Sequence, residues 1–150
     1  MARTLIRYSQ VRRTEPESGA NDLDFAKGRA YEADCLAADV AGKFVYVTGP
    51  EVAGIPQVST VDITNPAKMP SVGMIVAKTT ATRCTVQTVG ETSLFVTVPG
   101  GRYFIDVAGV ATNSPPTPVT GEIFQQLIGV GLESSRLLLN FNGQLVNLKS

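Results

Sequence analysis

An all-β fold is predicted for this chain: an antiparallel β-sandwich or small β-barrel over residues 30–150, behind an extended N-terminal arm, residues 1–29. Three observations predict it. Short runs of Val, Ile, Leu and aromatic residues recur at strand length along the body. Gly, Pro and Asn punctuate them at close intervals, as turns between antiparallel strands require. Helical windows are poor: the best of them, FQQLIGVGL, carries two glycines, which a helix interior penalises and a strand accepts at a close backbone approach.

The strands follow in order. YEADCLAADV (31–40) opens the body, and KFVYVTG (43–49) is a stronger strand, bounded by Gly42 and Gly49-Pro50. IPQVSTVDI (55–63) alternates loosely through Val58, Val61 and Ile63 and stops at the turn dipeptide Asn65-Pro66. VGMIVAK (72–78) precedes ATRCTVQTV (81–89), where Cys84 and Val86 share one face and Arg83, Thr85 and Gln87 the other. SLFVTV (93–98) and RYFIDV (102–107) flank Pro99-Gly100-Gly101 and read as a tight hairpin or a closely turning pair. EIFQQLIGVGLE (122–133), RLLLNF (136–141) and QLVNLK (144–149) complete the body, with Asn142-Gly143 the strongest hairpin signal in the chain.

The arm has a different composition. RRTEPESGANDLDFAKG mixes Pro, Glu, Ser, Gly, Asn and Asp with few large apolar residues, too little burial to offset the entropy of ordering. Ahead of it, MARTLIRYSQVRR holds Arg3, Arg7, Arg12 and Arg13 with no acid, and Leu5, Ile6, Tyr8 and Val11 as apolar anchors. These anchors are too few for a stable free helix but suit an arm that orders on a partner.

Most chemistry is excluded by composition. Formal net charge is zero, so nothing global favours nucleic acid or an anionic membrane. No apolar run is long enough for a membrane helix, and the N-terminal LIRYSQV lacks the continuous core of a signal peptide, so the protein is expected to be made and kept in a cytoplasm. The two cysteines, Cys35 and Cys84, read as reduced, buried thiols. There is no histidine, which removes Ser-His-Asp and Cys-His catalysis and most zinc sites. Gly129-Val130-Gly131 lacks the third glycine of a dinucleotide fingerprint and reads as a bulge or close backbone packing. Glu32, Asp34 and Asp39 could hold a divalent cation or do acid/base work, but without a glycine-kinked, oxygen-rich loop they read as a solvated strand face. The aromatic residues lie inside strand runs and read as core rather than a sugar platform. The expectation is a protein that is not an enzyme and carries no cofactor or metal.

A resemblance sharpens this. PSVGMIVAKTTATRCTVQTVGE, PGGRYFIDVAGVATNSPPTP and QQLIGVGLESSRLLLNF resemble, in order of elements over residues 30 to 148, a β module of tailed-bacteriophage virion proteins. Such modules occur in capsid decoration (cement) proteins, fibre bases and adaptors. The segment MARTLIRYSQVRR…NDLDF resembles the short attachment arms by which some phage fibres dock on the virion. The resemblance implies a compact β-sandwich-like domain, self-association, most often as a homotrimer, and location in the virion after synthesis in the host cytoplasm. It implies a structural protein that decorates or cements the capsid, with the major capsid protein and copies of itself as partners. Arg3, Leu5, Ile6, Arg7, Tyr8, Val11, Arg12 and Arg13 would form the partner-binding arm. The competing expectation is a head or tail fibre or adaptor module that binds a host-surface receptor or glycan; an exposed aromatic or acidic groove would favour it over capsid decoration.

Overall fold

The computed structural model describes residues 28–141 and 144–149; the arm residues Arg3 to Arg13 and the Asn142-Gly143 turn lie outside the described residues. Among the described residues, eleven strands follow in order: β1 (Gly28–Asp34), β2 (Phe44–Val52), β3 (Ile55–Thr60), β4 (Gly73–Thr80), β5 (Arg83–Thr92), β6 (Arg102–Ile105), β7 (Ala111–Thr112), β8 (Glu122–Gln125), β9 (Leu127–Glu133), β10 (Arg136–Asn140) and β11 (Val146–Lys149). The fold is all-β. Its only helical piece among the described residues is a single 3₁₀ turn, Pro66–Lys68, capped by the Asn65 side chain.

Strands β1-β3-β2-β4-β5 close into a five-stranded barrel, because β1 pairs with both β3 and β5. Long β5 then leaves the barrel. Its first half, through Gln87, pairs with β4, while Val89–Thr92 pairs with β10. The sheet continues through β9 and β6 to β7, whose two residues form a short edge. Short edges limit the unpaired backbone open to another chain. A separate ribbon of β8 and β11 completes the fold.

Side-chain alternation produces two cores. Ala33, Cys35, Val45, Val58, Ile75, Cys84 and Val86 fill the barrel. Phe44, Val61, Ile63, Met69, Met74, Tyr103, Ile105, Ile123, Ile128, Leu137 and Leu139 form a larger core between the barrel wall, the sheet extension and the β8–β11 ribbon. Neighbours on a strand point to opposite faces, so Val45 and Ile75 enter the barrel while Phe44 and Met74 enter the outer core. This wall is buried on both sides, which is why its sequence reads as a continuous apolar run rather than an alternating one. Phe44 stacks on Phe95 at 6.3 Å and tilts against Phe141 at 5.7 Å. Burying such a ring contributes about 1.5–3 kcal/mol.

The closest backbone approaches fall at glycines. A Cβ on Gly129 would stand 2.2 Å from the Leu138 carbonyl oxygen, and one on Gly131 would stand 2.2 Å from the Val98 carbonyl oxygen. The Gly129-Val130-Gly131 stretch therefore serves close packing, as expected from sequence.

At Pro99-Gly100-Gly101 the close turn forms but the hairpin does not, and a second expected hairpin, at Asn142-Gly143, is corrected. SLFVTV does not pair with RYFIDV. The Val98–Gly101 turn forms, with Gly101 N–H donating to Val98 O, but Gly100 N–H donates to Gly131 O and Gly131 N–H to Gly101 O. The Val98 N–H, which a hairpin would give to β6, goes to the Tyr103 hydroxyl at 2.8 Å. Thr97 then pegs the irregular segment beneath the β9–β10 turn, its N–H donating to Ser134 O. Strand β6 instead forms its hairpin with β7, around a turn that Asp106 caps by accepting from Ala108 and Val110 N–H. Likewise β10 and β11 are not partners. β10 is already flanked by β5 and β9, which leaves β11 to pair with β8.

Candidate interaction surface

Several carboxylates of the body are engaged in its own structure. Asp34 and Arg83 sit opposite each other in the β1–β5 register, and Arg83 Nε donates to Asp34 Oδ1 at 2.7 Å. Gln57 Nε2 donates to the other oxygen at 2.9 Å, and Glu32 lies 3.7 Å from the same guanidinium. The Gln57 hydrogen bond first, then Arg83, holds the Asp34 carboxyl below its ordinary value. Glu32 and Asp34 thus share a face, as the alternation predicts, and a cation already occupies it.

Asp39 stands apart from them. It is buried on the loop after β1, where it accepts from Leu36 N–H, Thr60 N–H, Thr60 Oγ1 and Ser59 Oγ. Burial pushes this carboxyl up, and the hydrogen bonds from Thr60, Leu36 and Ser59 more than reverse that, leaving it below its ordinary value. Asp39 staples the barrel rather than facing solvent, which corrects the expectation of a solvated acidic face at that residue.

Cys35 and Cys84 are both free and buried in the barrel core. Burial, then a hydrogen bond with Cys35, pushes the Cys84 thiol up to about 12. Among the described residues, no three His, Cys, Asp or Glu side chains cluster closely enough to hold a metal ion. Phe44 and Tyr103 are buried, and Tyr31, Tyr46 and Phe95 are half-buried against the two cores, as core aromatics should be.

Part of what the body presents outward is apolar. On the outer face of the sheet extension, Leu138 of β10 lies directly between Glu91 of β5 and Val130 of β9, and Val130 lies beside Arg102 of β6. Paired residues on adjacent strands point the same way, so Glu91, Leu138, Val130 and Arg102 form one row across the sheet. Leu138 and Val130 are each 38% exposed. Leu132, two residues on from Val130 in β9, is also exposed. Exposed apolar side chains side by side on a sheet face mark an interaction site more often than a bare solvent face.

Charge borders the face. Arg136 Nη1 meets Glu91 Oε1 at 2.6 Å, and Arg136 Nε meets Glu133 Oε2 at 2.7 Å. Sequence reasoning placed the interaction residues in the arm and missed this face. The signal was present in RLLLN: three consecutive leucines in a strand cannot all face the core, so the middle one, Leu138, must point out.

Compared with known proteins, the chain matches no family model, no curated protein and no solved structure.

Proposed function

We propose that the protein is a non-enzymatic structural component of a phage particle, which decorates or cements the capsid through its N-terminal arm and through contacts with copies of itself. The observation that carries this reading is the exposed apolar face of β9 and β10 on a closed-barrel body whose Asp34 and Asp39 carboxylates are bonded within the fold and whose thiols are buried. A coat protein needs a body that keeps its shape, a surface that gains by being covered, and an arm that gains order on contact. The four arm arginines supply orientation and salt sensitivity against an acidic surface of the major capsid protein, and Leu5, Ile6, Tyr8 and Val11 supply burial.

The test is cosedimentation with particles stripped of their outer proteins. Deleting residues 1–13 is expected to leave the β body folded, by circular dichroism, while occupancy on the particle falls sharply. Unchanged occupancy would pass the anchoring role to the body and overturn the role given to the arm.

A further inference from the structure

We infer that the Glu91–Leu138–Val130–Arg102 row is a self-complementary docking surface for a second copy of this chain. The inference deepens the proposed function, since self-association is one part of that reading. Its basis is the order of the four residues. Strand register places them side by side on β5, β10, β9 and β6, at about 4.8 Å intervals, with an acid at one end, two aliphatic side chains in the middle and a base at the other end.

The ends carry opposite charge. Glu91 and Glu133 share the single guanidinium of Arg136, so two carboxylates against one cation leave one negative charge. Arg102 is exposed and forms no ion pair among the described residues, leaving one positive charge at the far end.

This order selects one geometry. Two such faces packed together, sheets about 10 Å apart and strands roughly aligned, can be related by a two-fold axis running parallel to the strands between β9 and β10. That axis lays Leu138 of each copy over Val130 of the other and Arg102 of each copy against Glu91 of the other. A two-fold axis along the row would instead set Glu91 against Glu91 and Arg102 against Arg102, which like-charge repulsion opposes. The contact is therefore isologous and builds a dimer, in place of the trimer expected from sequence.

The experiment is analytical ultracentrifugation of the full chain from about 1 to about 100 µM, at low and at high salt. Wild type is expected to show a concentration-dependent dimer that weakens as salt rises. Leu138→Glu places an unpaired charge in the contact, Arg102→Glu reverses one end of the row, and each is expected to raise the dimer dissociation constant at least about tenfold. Both positions are exposed, so both variants should keep the wild-type circular dichroism spectrum. If Leu138→Glu alone loses its fold, Arg102→Glu decides. A monomer throughout, a trimer, or a dimer that Arg102→Glu does not weaken overturns the inference. Particle binding, measured separately by cosedimentation, reports on the structural role itself, so a monomer that still binds particles removes this face and leaves that role standing.

Discussion

Gln126 closes a two-bond ring on the backbone of Ser71: its Oε1 accepts from Ser71 N–H at 2.8 Å, and its Nε2 donates to Ser71 O at 3.0 Å. The amide stands in for one rung of a β-ladder. Gln126 is fully buried at the junction of β8 and β9, and Ser71 lies on the loop that enters β4, so the ring ties the outer core to the barrel wall. Ser71 Oγ adds a bond to Val45 O in β2.

Replacing Gln126 by Leu keeps much of the volume and strands two buried backbone groups. Each unsatisfied group costs about 1–3 kcal/mol, so Gln126→Leu is expected to lower the unfolding free energy by about 2–6 kcal/mol. Urea denaturation measures this. A loss below about 0.5 kcal/mol would mean that water or a shifted loop satisfies Ser71 instead.

Much of the fold was legible because the strand signals are local. KFVYVTG, VGMIVAK and ATRCTVQTV occupy β2, β4 and β5, and Cys84 and Val86 share the barrel-facing side of β5. Pairing was less legible because it depends on which edges are already taken. Pro99-Gly100-Gly101 is a sound turn, yet Gly131 offers the chain a backbone approach that a residue with a side chain would block, and the hairpin gives way to it. Gln126 was invisible for the same reason: a polar residue in a strand run reads as solvent-facing until its distant partner, Ser71, is known.

The acid limb of stability should depend on Asp39. Its folded carboxyl titrates below the ordinary value of 3.8, so its contribution is present above that value and is lost as pH falls through the folded one. Asp39→Asn is expected to be less stable than wild type near neutral pH, by about 1–3 kcal/mol, because charge-assisted bonds from Thr60 and Leu36 weaken. Below the ordinary carboxylate range the two proteins should converge. Thermal midpoints across that window measure the effect, and parallel curves would contradict it.

The barrel thiols should be silent in the folded state. Cys84, pushed up to about 12, carries almost no thiolate at neutral pH, and both sulfurs are buried away from reagent. A chromogenic aromatic disulfide reagent should label neither cysteine in native protein and both in denaturant. Rapid stoichiometric labelling under native conditions would show that the barrel opens readily.

The proposed role in a phage particle is open to quantitative mass spectrometry of purified particles, taken from the culture that produces the protein. The protein is expected to copurify at a fixed copy number, in a simple ratio to the major capsid protein set by capsid geometry. Its absence from purified particles, or trace amounts that vary between preparations, would overturn that role.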